Sequence, residues 1–238
     1  MFASILLTSS SVEAVPLNIA NFQLDLVTET ATVTFNQPVV PSSFDAALWF
    51  LSPFSNGTSP QVALDGQITS TPDNLTIAVA LAPSVVDNIA ASPPLARQAI
   101  TSHIGAQAGA VLADDGTPWA PQPSAKVADA FVPDTTPPAI IAGSYNASDG
   151  ELRLTLSESV TESDFNVTAI SLSCNELALN PSVSAGASVS GRQVTFNAVS
   201  VLDNVQLMQC QVIEMSMTVG TVTDKYGNNN VDHAVNLT

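Results

Sequence analysis

Alternation dominates the chain. Ala31, Val33 and Phe35 are separated by threonines, and Leu75, Ile77, Val79 and Leu81 alternate with polar or small residues. A period of two places one side of a strand on a core and the other towards solvent. Val, Ile, Thr and Phe fill these runs, while Gly, Pro, Asn and Asp punctuate them. No segment has a helical period of useful length, and "SVVDNIAA" (Ser84 to Ala91) predicts one short turn. About seven short strands in roughly 110 residues predict a Greek-key β-sandwich.

The pattern occurs twice. "TATVTFNQPVVPSSFDAALWFL" (Thr30 to Leu51) aligns without a gap on "ELRLTLSESVTESDFNVTAISL" (Glu151 to Leu172). Phe35 falls on Leu156, Val39 on Val160 and Phe44 on Phe165. "NLTIAVAL" from Asn74 matches "RQVTFNAV" from Arg192 in pattern, and "VVDNIA" from Val85 matches "VLDNVQ" from Val201. "VLADDG" (Val111 to Gly116) answers "TVTDKYG" (Thr221 to Gly227) with one residue of slippage. Blocks in one order, about 110–120 residues apart, indicate a tandem duplication. Between the copies lies "PDTTPP", whose prolines end one element and stiffen the path to the next. The expected organisation is an arm over 1–15, a domain over 16–132, a linker over 133–138 and a domain over 139–238.

"DTTPP" (Asp134 to Pro138), "LRLTLSESV" (Leu152 to Val160) and "VTDKYGN" (Val222 to Asn228) together resemble bacterial-type Ig-like repeats. Such repeats occur in extracellular surface-layer, adhesin and fibre proteins. They open on D-x-x-P-P, carry F-S-E-x-V at a strand end and close on D-x-x-G-N. Copy two has all three, with Leu156 for the usual Phe; copy one keeps "VTFNQPV" and "DDG" but opens only on Pro16. The resemblance implies an all-β chain of two tandem Ig-like Greek-key β-sandwich domains. The role it implies is mechanical: extending, linking or polymerising outside the cell. It carries over no catalytic residue, and Asp224 and Gly227 read as turn positions.

Charge narrows the partners. The 238 residues carry a formal charge of −16, with only five Lys and Arg: Arg97, Lys126, Arg153, Arg192 and Lys225. That excludes nucleic acid, whose phosphates need clustered cations, and disfavours anionic membrane surfaces. No apolar run approaches the ~18 residues of a membrane span. "MFASILLTSSSVEA" has no leading Lys or Arg and is a poor match to a signal peptide. Only 11% of residues are charged and mean hydropathy is positive, so Ser, Thr and Asn, attached sugars or neighbouring subunits must keep the surface wet.

Five sequons supply candidate sugar sites: Asn56, Asn74, Asn146, Asn166 and Asn236. Cys174 and Cys210, both in copy two, lack CxxC or nearby His, so a disulfide is expected and with it an oxidising compartment. Asp114, Asp115, Asp134, Asp149 and Asp224 lie near predicted domain ends, where a structural calcium could stiffen a joint. They lack a regular ligand spacing, and turn-capping is the simpler role. His103 and His233 read as ordinary surface or edge residues. Trp49, aligned with Ile170, reads as core, whereas Trp119 follows a turn and would offer a sugar platform if exposed. No Ser sits in G-x-S-x-G or a credible triad, so no enzyme and no catalytic residue, cofactor or metal ligand set is expected.

Each copy supplies its own final strand, "KVADAFV" (Lys126 to Val132) in one and "VDHAVNLT" (Val231 to Thr238) in the other, so Met1 to Val15 belong to neither predicted sandwich, and "FASILLTSSSVEAV" is apolar and β-branched enough to pair. An arm of this kind can add to, or insert into, the sandwich of the next protomer, and repetition head-to-tail gives an open filament. A leader and a disordered tail are the alternatives for this stretch. The expected function is the protomer of a secreted, glycosylated filament, a homo-oligomer. An adhesin or glycan-binding Ig-like module, or a passive stalk segment of a larger surface protein, is the alternative.

Overall fold

A computed structural model describes residues 15–146, 148, 150–166, 170–174, 177–179, 187–196, 209, 210 and 212–237. The first unit holds β1 (Ile19–Asp25), β2 (Thr30–Phe35), β3 (Trp49–Ser52), β4 (Val62–Ala63), β5 (Gly66–Ser70) and β6 (Thr76–Leu81). Helix α1 (Pro83–Ala90) follows, then β7 (His103–Ala106), β8 (Lys126–Val127) and β9 (Ala130–Val132). The chain crosses between two sheets after β2, β4, β6 and β8, giving the strand orders β5-β6-β2-β1-β9 and β4-β3-β7-β8.

The second unit holds β10 (Ile140–Asn146), β11 (Glu151–Leu156), β12 (Val160–Phe165), β13 (Ile170–Cys174) and β14 (Leu177–Leu179). Then come β15 (Ala187–Ser190), β16 (Gln193–Phe196), β17 (Ile213–Met217), β18 (Val222–Asp224) and β19 (His233–Leu237). Its sheets run β10-β11-β16-β15 and β14-β13-β17-β19, with β12 and β18 paired as a separate ribbon. Both units are Ig-like β-sandwich repeats.

The copies agree in detail. β2 and β11 start at aligned residues, as do β3 and β13. The first hairpin of each carries the same irregularity, between Ile19 and Asn21 in one and Ile140 and Ala142 in the other. One sequence match shifts. Val33 pairs with Ile77 and its counterpart Leu154 with Val194, so Ile77 answers Val194 and the block slides by one residue from the alignment of Asn74 on Arg192. With a period of two, only that register buries Ile77 and Val79 in one copy and Val194 and Phe196 in the other.

Two further expectations are corrected. "SVVDNIAA" is no single turn: Pro83 at the first helical position starts the eight-residue α1, which buries Val85, Val86, Ile89 and Ala90 on one face. Its partner in copy two, from Val201, lies outside the described residues. "KVADAFV" is not one final strand but β8 and β9 in different sheets, β8 antiparallel to β7 and β9 parallel to β1.

Buried side chains form one cluster from Leu17 to Ala128 and another from Ile140 to Val222. The first centres on aromatic rings: Trp49 stacks on Phe44 at 5.1 Å and meets Trp119 at 5.2 Å, with Phe35 edge-on to both indoles. Trp119 is 2% exposed, so it is a core residue and offers no platform.

Candidate functional site at the joint

Three carboxylates from separate stretches meet between the two cores. Asp134 comes from the linker, Glu158 from the turn joining β11 to β12, and Asp224 from the end of β18; one carboxylate oxygen of each lies within 4.8 Å of the others. Asp224 is buried and the other two are half-buried. The turn after β18 explains the placement of Asp224. Its Oδ1 accepts from the backbone N–H of Tyr226 and of Asn228, both at 2.8 Å, and its Oδ2 accepts from Asn228 Nδ2 at 2.8 Å. The same Asn228 Nδ2 donates to the carbonyl of Asp134 at 3.2 Å, tying linker to turn, while Asp134 Oδ1 accepts from Thr136 N at 2.9 Å. Gly227 holds φ +95°, the left-handed conformation this turn requires.

Crowding of like charge out of water has the expected electrostatic result. Burial first, and then the Asp134 charge and a hydrogen bond with Asp224, push the Glu158 carboxyl up to about 8. Burial and the Asp224 charge raise Asp134 as well. Burial also raises the Tyr226 phenol.

Cations brace the rim. Arg192, in the turn between β15 and β16, donates to Asp87 of α1 at 3.2 Å and to the carbonyl of Ser157. Arg97 of the first unit lies 4.0 Å over the ring of Tyr226, with Nη2 donating to the carbonyl of Ala90 at 2.9 Å. Tyr226 itself packs against the core of the first unit. A cavity of about 140 Å³ opens here, lined by Asp134, Glu158, Ser159, Asp224 and Tyr226 among others. Among the described residues, the buried hydroxyls of Ser159 and Tyr226 have no hydrogen-bond partner.

Of the acidic residues singled out in the sequence, the joint unites Asp134 and Asp224. Asp115 caps its own turn through Thr117 N at 2.8 Å, and Asp149 lies outside the described residues. Glu158 was missed as a possible ligand, although "SESV" contains it. Copy one has no equivalent: Gln37 aligns with Glu158, and Ala113 occupies the place of Asp224, since Val39 pairs with Ala113 as Val160 pairs with Asp224.

Asn56, Asn146, Asn166 and Asn236 are exposed and Asn74, at φ +55°, is half-buried in the turn between β5 and β6. Asn56 and Asn146 each accept from the hydroxyl of the Thr or Ser two residues on. Cys174 and Cys210 are disulfide-bonded, joining the end of β13 to the approach to β17. His103 is no surface or edge residue: it is buried in β7 between β3 and β8, and burial lowers its pKa. His233 begins β19. Residues 1–14 of the arm lie outside the described residues.

No protein-family model matches the chain, and no curated protein matches it. Solved structures similar to it include the S-layer protein SbsC, residues 31–844, at 9% identity and a TM-score of 0.34 over 94% of this chain and 26% of that one. Native alpha-2-macroglobulin from Escherichia coli, spanning domains MG0-NIE-MG1, matches at 10% identity and 0.34, over 94% and 72% of the two chains. The I9–I11 tandem of titin matches at 11% and 0.23, over 93% and 65%. The chain thus spans about a quarter of the length of that S-layer protein. At such identities and TM-scores the functional reading rests on the chain's own residues.

Proposed function

We propose that the chain is a non-enzymatic structural unit of an extracellular surface assembly, the protomer of a glycosylated filament. The observation that carries this reading is the joint: Tyr226 of the second unit packs on the first core, and the Arg192–Asp87 pair crosses between the units. Two sandwiches so fastened transmit force as one body. The Cys174–Cys210 disulfide fits an oxidising, extracellular setting. Glycans on Asn56, Asn74, Asn146, Asn166 and Asn236 would solvate a surface poor in charge. In the filament, the arm over 1–15 adds as a strand to a sheet edge of the next protomer; β5, largely exposed along its length, is such an edge.

Negative-stain electron microscopy of the full chain, beside a chain lacking Met1 to Val15, tests this. Filaments that disappear with the arm support exchange or addition, and thinning after glycosidase shows the sugar coat. Isolated two-unit particles from the full chain would overturn the filament and leave a passive stalk segment. A second reading, a glycan-binding module, draws on a groove of about 440 Å³ lined by Asn18, Phe50, Asn56, Trp119 and Gln122. Saturable binding of a free oligosaccharide by the arm-deleted chain would favour it.

A further inference from the structure

We propose that the joint is a calcium site, in which Asp134, Glu158 and Asp224 bind one ion and thereby fasten the linker to the second sandwich. All three donors are carboxylate oxygens, the set a hard cation takes. Oxygens about 2.4 Å from a common Ca²⁺ can lie at most about 4.8 Å apart, and one carboxylate oxygen of each residue falls within that limit. Mg²⁺, at about 2.0–2.1 Å, demands a tighter cluster.

The vacant valences point the same way. Asp224 accepts from Tyr226 N, Asn228 N and Asn228 Nδ2, and its further hydrogen bond, with Glu158, is the one an ion would replace. Ser159, 4% exposed and next in sequence to Glu158, brings an unpartnered hydroxyl to the wall of the same cavity. A buried hydroxyl without a partner is costly, and an added ion or its bound water would satisfy it. Tyr226 presents a second such hydroxyl, close enough for all three carboxylates to act on it.

Charge balance sets the valence. Glu29 and Asp87 join the three carboxylates in lining the cavity, opposed by Arg192, Lys225 and, across the Tyr226 ring, Arg97. Five carboxyl groups against three positive ones leave a surplus of two once all five are ionised, which requires a bound ion to displace the Glu158 proton. Arg192 is committed to Asp87 and the Ser157 carbonyl, and Arg97 to the Tyr226 ring and the Ala90 carbonyl, although its Nη1 is buried without a partner. Neither guanidinium makes a hydrogen bond or ion pair to the three carboxylates among the described residues. Copy one, with Gln37 and Ala113 at the matching places, has lost the ligands, so the site belongs to the joint and not to the repeat.

The proposal stands apart from the filament reading, because binding is measured on the single chain. The full chain, stripped with EDTA, is titrated with CaCl₂ and separately with MgCl₂ by isothermal calorimetry at constant ionic strength. One Ca²⁺ per chain is expected, at the roughly 10⁻⁴–10⁻³ M affinity of extracellular modules, with Mg²⁺ weaker. Glu158→Gln and Asp134→Asn each weaken binding roughly tenfold or more, since affinity follows the number of ligand charges. Asp115→Asn, remote in the turn chemistry of copy one, leaves it unchanged. Asp224→Asn is avoided because Asp224 also holds its turn, whereas Glu158 accepts no backbone N–H among the described bonds. Circular dichroism confirms that each variant is folded. Absence of saturable binding at millimolar calcium, or binding indifferent to both Glu158→Gln and Asp134→Asn, overturns the site.

Discussion

Glu158 sits where a proton is the cheapest company available in the absence of a cation. Its folded-state pKa, about 8, lies above the ordinary 4.5, with Asp134, Asp224 and Arg192 as the charged groups that face it. A raised carboxyl contributes stability that is fully present below pH 4.5 and is lost progressively as pH rises through about 8. Thermal unfolding in EDTA should therefore show the midpoint falling between those limits, and Glu158→Gln should flatten that fall. A midpoint with the same pH slope in the variant would show that another group is responsible. Elsewhere in the chain, Trp119→Ala should cost the first unit about 3–5 kcal/mol in denaturant unfolding, the usual penalty for emptying a large core site. Its place in the core could not be read from "DDGTPW", because the neighbours that bury it, Phe35 and Trp49, are 70 or more residues away. The carboxylates were half-legible for the same reason. All three stood in visible motifs, but no local spacing links Glu158 to Asp134 or Asp224, so only the two aspartates were singled out as possible ligands.

At the scale of elements, period two and the internal repeat revealed the strands and both sandwiches, because alternation is a local property that burial then respects. The one-residue slip of β6 against β16 was invisible, since two alternating runs match almost equally well in adjacent registers until a partner strand selects one. Helix α1 carried a signal that an eight-residue window underweights, namely Pro83 where a helix tolerates it best. The Cys174–Cys210 bridge links the end of β13 to the segment just before its antiparallel neighbour β17, across 36 residues. Replacing both cysteines by serine should lower the stability of the second unit by roughly 3–4 kcal/mol while leaving the first unchanged. Separate unfolding transitions, followed by tryptophan fluorescence for the first unit and circular dichroism for the whole, would resolve this. On the first unit's edge, Gly66 has φ +152° and an added Cβ would stand 1.8 Å from the carbonyl oxygen of Ala80. Gly66→Ala should detach the start of β5 from β6, seen as faster amide exchange at Gln67 and Ile68.

For the whole molecule, the joint decides whether two sandwiches behave as one. Asp87→Ala removes the carboxylate that Arg192 reaches across the joint, and this pair, its side chains 22% and 26% exposed, should contribute on the order of 1 kcal/mol to stability. Its effect belongs to geometry: small-angle scattering should show a broader range of inter-unit distances with melting almost unchanged. Parallel pairing of β1 with β9 has a mechanical consequence of its own. Gln23, Leu24 and Asp25 pair with Ala130, Phe131 and Val132, and the linker leaves directly from β9. A pull between residue 16 and the linker drags these two strands in opposite directions along their length, so their hydrogen bonds are sheared together instead of unzipped one by one. Among the described residues of the second unit β19 forms its ladder with β17 and β10 with β11, and the two terminal strands pack together with no ladder joining them. Stretched end to end, the second sandwich should give way at the lower force, its extension cut short by the 36-residue loop that the disulfide withholds. The first would then act as the stiffer spring.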